Sequence, residues 1–274
     1  MIKSHTVNIK RPGDLEYISF PKLEAAKGVR HIFSTRKGGV SGGVFGQMNL
    51  SFRNGDKTEN VRENYRRLCN AVNIDVNHLV LSRQTHTNNV LTVGKKDLGT
   101  GYSKPEFSDV DGLITGEPGV ALVTQYADCT PLLFYDPVAR VCANSHSGWR
   151  GTVQRIGAVT VEKMVNEFGS LPQNIIAAIG PCICKNCYEV DLPVYKEFKN
   201  AGFELNRIFT PKPDGNHFLL DLREANRQIL LDAGINENNL DIADICTYEN
   251  SDFLHSHRAT GGKRGNLATI IEMY

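Results

Sequence analysis

A chain of 274 residues with 31 Lys and Arg against 30 Asp and Glu carries a net charge of +1, so it lacks the basic excess expected of a nucleic-acid binder. Its hydrophobic fraction of 41% and charged fraction of 22% are ordinary for a globular protein, and its length allows one large domain or two small ones. No apolar run is long enough for a membrane span, and Met1-Ile2-Lys3-Ser4-His5 lacks the apolar stretch of a secretory signal, so a cytoplasmic protein with no membrane contact is expected, its seven cysteines buried, metal-binding or reactive rather than disulfide-linked.

In chain order, Lys37–Gly43 reads as a structured glycine-rich loop. Asp56, with Glu59 three residues on, has the spacing of a capping box, after which Val61, Tyr65, Leu68 and Val72 fall on one helical face. Short β-branched runs follow at Leu79–Ser82, Val90–Val93, Val120–Thr124 and Leu132–Tyr135. Asp136-Pro137 breaks the chain before a further run at Val141–Asn144, which suggests a hairpin. A helix is expected over Val153–Phe168, with Ile156, Thr160, Met164 and Phe168 inward and Gly169 as its stop. Strands at Ile175–Ile179 and Phe218–Leu220 and a helix over Asp221–Ala233, followed by Gly234, complete the reading. Hairpins mixed with helices favour an α+β fold, an α/β layered sandwich, over a regular βαβ succession. With no repeat, low-complexity tract or linker, residues 1–274 are expected to form a single domain.

The stretch His146-Ser147-Gly148-Trp149-Arg150-Gly151 holds the only tryptophan, flanked by glycines that allow close approach to a ligand. Together with His86 and Cys129, His146 lies at or just beyond the end of a predicted strand, where a rigid scaffold presents groups to a cleft. Two imidazoles and a thiolate suit zinc. Three protein ligands leave a fourth position open, as catalytic sites do, and a bound ion would bring a water's pKa to about 7. The spacings are too long for a short zinc signature, so two other readings stand beside this one: Cys129 as core, or Cys129 as a nucleophile with His146 as its base, a cysteine hydrolase.

Cys182, Cys184 and Cys187 are compact enough to bind metal but lack an obvious fourth partner. Cys246 is the candidate, and a tight loop after Ile179 is the simpler account. Ser34–Gly39 and Arg258–Gly265 combine hydroxyls, cations and glycines like anion loops without P-loop spacing, so Arg36, Arg150 and Arg258 are candidate anion contacts. His255-Ser256-His257 reads most simply as a surface strand.

Several motifs then occur in a telling order: Thr35–Ser41, Met48-Asn49-Leu50, Gln84-Thr85-His86, Ala127-Asp128-Cys129-Thr130-Pro131 and His146–Gly151, followed by Ile179–Cys182, Cys187–Val190, Leu220-Asp221-Leu222 and Cys246-Thr247-Tyr248. The chain resembles the laccase-domain family, also called the multicopper polyphenol oxidase family, from about Arg30 to Ile271. Its bacterial members are described as purine nucleoside phosphorylases with adenosine deaminase activity. The resemblance implies a layered sandwich related to the cysteine-hydrolase-like toxin fold. It implies a zinc site at His86, Cys129 and His146, with copper as the alternative ion. It also implies phosphorolysis of adenosine, inosine, guanosine and methylthioadenosine, and hydrolytic deamination of adenosine. Purine nucleosides and phosphate are then the expected partners of a monomer or homodimer. Asn49 and Gln84 join Arg36, Asp128, Arg150 and Arg258 as candidate substrate-binding residues, with Asp128 also a candidate to orient a ligand histidine.

The chain departs from the family near its end, carrying Ala259 and Asn266 where many members carry arginine, with Lys263 and Arg264 near enough to substitute. Copper oxidation of phenols is the rival reading. It sits poorly with eight histidines and a single His-x-His, because electron transfer through a copper cluster needs many imidazoles.

Overall fold

The computed structural model describes residues 2–274. Every residue of Thr130–Asp136 is buried, as is every residue of Val141–Ser147, Ala121–Tyr126 and Leu267–Met273. Strands covered on both faces read as near-continuous apolar runs, and alternate side chains then feed two different cores. Leu133 and Tyr135 enter a core shared with Phe33, Leu122 and Ile271 of a second sheet. Leu132 and Phe134 face the other way, onto Ile156, Met164 and Leu230 of the covering helices. On the far side, Val123 and Ile270 pack under Val61, Tyr65 and Leu68 of another helix. The result is helix, sheet, sheet, helix, the layered sandwich expected from the sequence.

The first sheet runs Asn8–Lys10, Tyr17–Ser19, Val29–Ser34, Leu267–Met273, Ala121–Tyr126, Leu79–Arg83, Phe107–Ser108. The second runs Leu240–Ile242, Ile176–Ile179, Thr130–Asp136, Val141–Ser147, Gly112–Thr115, Val90–Thr92. A small third sheet joins Glu189–Asp191, His217–Leu220 and Phe209–Pro211. Asn144 pins the two large sheets together. Its Nδ2 donates to Leu122 O at 3.0 Å and Thr269 O at 3.2 Å, while its Oδ1 accepts from Thr124 Oγ1 at 2.6 Å and Thr269 Oγ1 at 2.8 Å.

The expected hairpin is present, with Val141 opposite Asp136 and Ser147 opposite Thr130. Asp136 Oδ1 accepts the amides of Val138 and Ala139 and holds the turn. Three expectations need correction. The helix after Asp56 spans Thr58–Asn70 with Lys57 at its cap, because the Asp56 carboxylate is occupied by Ser41, Asn49 and Asn60; Val72 lies beyond its end. The helix expected from Val153 is two pieces, Trp149–Val153 and Ile156–Phe168, broken where Arg155 adopts φ 56°. His255–His257 is no strand: His255 is fully buried and His257 opens the short helix His257–Thr260. Asp221 caps Leu222–Asp232 through the Glu224 amide, and Gly169 closes Ile156–Phe168 at φ 70°. Among the described residues, no helix is long and apolar enough to cross a membrane.

Candidate active site

The hairpin register brings two of the predicted ligands together. His146 lies opposite Pro131, so it and Cys129 fall at the open end of the same strand pair. His86 follows the end of Leu79–Arg83 by three residues, in the left-handed conformation at φ 67°. The ligand atoms of His86, Cys129 and His146 all lie within 4.8 Å of one another, and Cys129 Sγ is 3.8 Å from His86 Nε2. Gly148 makes this possible: a Cβ there would lie 2.6 Å from His86 Cδ2 and 3.2 Å from Cys129 Sγ. Its backbone is ordinary, at φ −71°, so close approach alone demands glycine.

The residue that organises the cluster is Asp111, which the sequence reading passed over. It is fully buried, and its two oxygens accept five donors. Oδ1 takes His146 Nδ1–H at 2.8 Å and the His86 amide at 3.0 Å. Oδ2 takes the amides of Thr85 and Thr87 at 3.0 and 2.9 Å and the Thr87 hydroxyl at 2.9 Å. One carboxylate therefore holds the Thr85–Thr87 turn in its strained shape and aims His146 Nε2 at Cys129. Burial pushes Asp111 up, but His146 and the two threonine amides outweigh it and bring it to about 2. Burial likewise opposes the charged forms of Cys129 and His146, yet their mutual attraction, helped by His86 and Asp111, brings the thiol down to about 6 and the imidazole up to about 9.

The donor set fits a zinc-class ion. With His146 Nδ1 engaged by Asp111, Nε2 is the open nitrogen. Donors 3.8 Å apart can share an ion with bonds of about 2.0–2.3 Å. The carboxylate–histidine pairing is the usual support of a metal-binding imidazole.

The cluster lies in the wall of a 410 Å³ cavity. Four arginines line it, Arg53, Arg150, Arg258 and Arg264, against a single carboxylate, Asp128. The Arg150 guanidinium lies 4.3 Å over the ring of Trp149 and, among the described residues, makes no side-chain hydrogen bond or ion pair. Arg258 lies over Tyr188 and donates to Glu189 O, and Arg53 pairs with Glu106. Arg264, the neighbour expected to substitute for a missing arginine, does reach the cavity; Lys263 is not among its lining residues.

Of the remaining predicted contacts, Gln84 lines the cavity while exchanging hydrogen bonds with the Gln125 backbone, at 2.7 and 2.9 Å. Arg36 does not reach it: Nε and Nη1 are taken by Gly46 O and Ser251 O. Asn49 is buried behind the wall, where its Oδ1 accepts the amide of Asn266, a lining residue, at 2.9 Å. Asp128 orients no histidine. Its Oδ1 accepts Thr247 Oγ1 at 2.6 Å and its Oδ2 the Arg258 amide at 2.7 Å, tying the Cys129 turn, where Asp128 itself sits at φ 88°, to the opposite wall.

A family model for multi-copper polyphenol oxidoreductase laccase matches residues 30–274. A purine nucleoside phosphorylase of Bacteroides thetaiotaomicron is 35% identical over 263 residues, 95% of this chain and 97% of that protein. Adenosine deaminase RL5, from an unknown prokaryotic organism, is 35% identical over 259 residues, 93% of this chain and 98% of its own. The crystal structure of YlmD from Geobacillus stearothermophilus superposes with a TM-score of 0.90 at 30% identity, covering 97% of this chain and 98% of the other.

Proposed function

This chain belongs to the multi-copper polyphenol oxidoreductase laccase family, and from that premise we propose that it is a zinc-dependent purine nucleoside phosphorylase. Adenosine, inosine, guanosine and methylthioadenosine are its proposed substrates. The observation that carries the reading is four arginines and one carboxylate around the cavity into which the His86–Cys129–His146 cluster opens. Guanidinium forks match phosphate oxygens, and a cleft with a net excess of cations favours a dianionic co-substrate. Arg150, its guanidinium without a hydrogen-bond partner among the described residues and braced on Trp149, is the first contact we assign to phosphate, with Arg264 of the same cavity lining as the second. Trp149 and Tyr188 offer apolar ring surface to a purine. Zinc, when bound, supplies Lewis acidity at the cluster. Asp111 keeps His146 in the tautomer that leaves Nε2 open, and Asp128 ties the Cys129 turn to the Arg258 wall.

The relative named adenosine deaminase supports deamination as a second activity. That chemistry requires a carboxylate to shuttle protons. The one carboxylate lining the cavity, Asp128, has both oxygens engaged, so we rank deamination below phosphorolysis. A second reading draws on Cys129, His146 and Asp111, whose order of contacts is that of a cysteine hydrolase triad and accords with the expected relation to the cysteine-hydrolase-like toxin fold. Copper oxidation of phenols is weaker, since only one metal-competent cluster among the described residues contains histidine. We place the protein in the cytoplasm as a single domain over residues 1–274, monomeric or homodimeric.

Purine release from inosine plus phosphate separates these readings. Turnover lost on chelation, restored by zinc and absent in Cys129→Ala is the expected result. Turnover that survives chelation but not the substitution would assign the cysteine hydrolase. Unchanged turnover in a metal-free Cys129→Ala protein would sink both.

A further inference from the structure

The cysteine loop after Ile179 does more than turn the chain. Cys184 and Cys187 flank a tight turn in which the Cys187 amide donates to Cys184 O at 3.0 Å. From a distant part of the chain, Cys246 and Glu249 flank a second turn, closed by the Asn250 amide on Cys246 O at 3.2 Å. Both hooks have the same spacing, a donor, two residues and a donor, and they face each other. The ligand atoms of all four lie within 4.8 Å of one another. Glu249 Oε1 is 3.8 Å from Cys184 Sγ and 3.7 Å from Cys187 Sγ. A tetrahedral zinc ion with bonds of about 2.0–2.3 Å separates its ligands by roughly 3.5–3.8 Å, so these edges already have the required length. The Cys184 amide points at Cys246 Sγ from 3.3 Å, a donor that stabilises a thiolate. Cys182 is not part of the set; it is buried, and its backbone bridges that of Cys246 and brings the two hooks into register.

We propose that Cys184, Cys187, Cys246 and Glu249 form a second, closed metal site for a zinc-class cation, structural in role and separate from the His86–Cys129–His146 cluster. Four protein donors leave no open position, the mark of a structural rather than catalytic site. Three sulfurs select a thiophilic ion over magnesium or calcium. The site's place in the fold states its task. Ile183, beside one hook, donates its amide to Asp128 O at 3.0 Å, and Thr247, beside the other, donates its hydroxyl to Asp128 Oδ1 at 2.6 Å. Tyr188 follows Cys187 directly and lines the cavity. An ion joining the hooks would therefore fix the wall from which the Cys129 turn hangs. It would also occupy the two half-buried thiols, Cys184 and Cys187.

The test is metal stoichiometry on the intact chain, purified under reducing conditions in the presence of zinc(II). We expect two equivalents in the unaltered protein, one in Cys184→Ser/Cys187→Ser, and one in His86→Ala/Cys129→Ala. Cobalt(II) loaded into the last variant should show the strong sulfur-to-metal charge-transfer band of a three-thiolate site. Because the paired serine variant could misfold, exposed Glu249→Ala serves as the mild companion: the second equivalent should pass to a chelator with affinity lowered at least about tenfold. Metal content unchanged by Cys184→Ser/Cys187→Ser, no cobalt band in His86→Ala/Cys129→Ala, or unchanged chelator competition in Glu249→Ala would overturn the proposal. None of these readouts depends on activity, so the proposal and the nucleoside reading fail separately.

Discussion

At the scale of single residues, Asp111 and Gly148 determine the geometry of the candidate centre without being ligands. Asp111→Asn keeps the size of the side chain but replaces one oxygen with an NH2 group, which donates and cannot accept, so either His146 Nδ1–H and the His86 amide or the Thr85 and Thr87 amides lose their acceptor. We predict a metal affinity about 10–100-fold weaker, read by chelator competition, with the fold retained by far-UV circular dichroism. Gly148→Ala tests close approach rather than conformation. Its Cβ would lie 2.6 Å from a His86 ring carbon and 3.2 Å from Cys129 Sγ, so these two side chains must shift. Zinc binding should fall while stability, read by urea denaturation, drops by no more than the about 1–3 kcal/mol expected of overpacking in a tight site. His86, Cys129 and His146 were legible in the sequence because each type is chemically distinctive and sits near the end of an apolar run. Asp111 was not, since one acid ahead of Gly112-Leu113-Ile114 looks like a loop residue until the two histidines close around it. Arg36 misled for the opposite reason: a guanidinium among glycines resembles an anion contact, yet this one satisfies two backbone carbonyls.

At the scale of elements, legibility followed apolar density. The hairpin Thr130–Asp136 with Val141–Ser147 shows in the sequence because both strands are buried on both faces and a Pro-bearing turn separates them. Val29–Ser34 and Leu267–Met273 lie side by side within the first sheet but were missed, since Arg30, His31, Thr269 and Glu272 interrupt their runs. Those polar residues are tolerated because they find partners. Glu272 accepts from His78 Nδ1 at 2.7 Å and pairs with Arg30, and Thr269 joins the Asn144 network. The break at Arg155 was hidden because nothing in the side chain marks a left-handed turn between two helical stretches. Two substitutions probe the elements directly. Asp221→Ala removes the cap on Leu222–Asp232 and should lower stability by about 1 kcal/mol. Phe134→Ala opens the core beneath the covering helices and should lower it by about 3–5 kcal/mol. Urea denaturation followed by circular dichroism measures both.

At the scale of the whole molecule, the fold buries histidines that it keeps neutral. His31 Nε2 accepts the Phe20 amide at 2.8 Å, and burial holds the ring down to about 4. His255 is fully buried with both ring nitrogens unpartnered among the described residues, and burial, then Arg36, hold it down to about 3. In the unfolded chain these rings take up protons near their ordinary value of about 6.5, whereas the folded protein resists. Stability is therefore full above about pH 6.5 and declines as pH falls towards about 4, by roughly 3 kcal/mol for His31 alone. Paired carboxylates such as Asp111 lose their share only lower, between about pH 4 and pH 2. Urea midpoints at about pH 7 and about pH 4.5 should show the decline, and His31→Gln, which keeps an acceptor for Phe20 but does not titrate, should flatten it.

Both sheets, the hairpin end and the Asp128 ties converge on one cavity in which cations outnumber the single carboxylate, and phosphate-dependent cleavage of a nucleoside is the reaction we propose for that arrangement. The most direct test is a chromatographic product screen of the zinc-loaded protein with inosine, adenosine and methylthioadenosine, with and without phosphate. The account predicts free purine base and a pentose 1-phosphate only when phosphate is present. Base released equally without phosphate, or no base from any of the three, would contradict it.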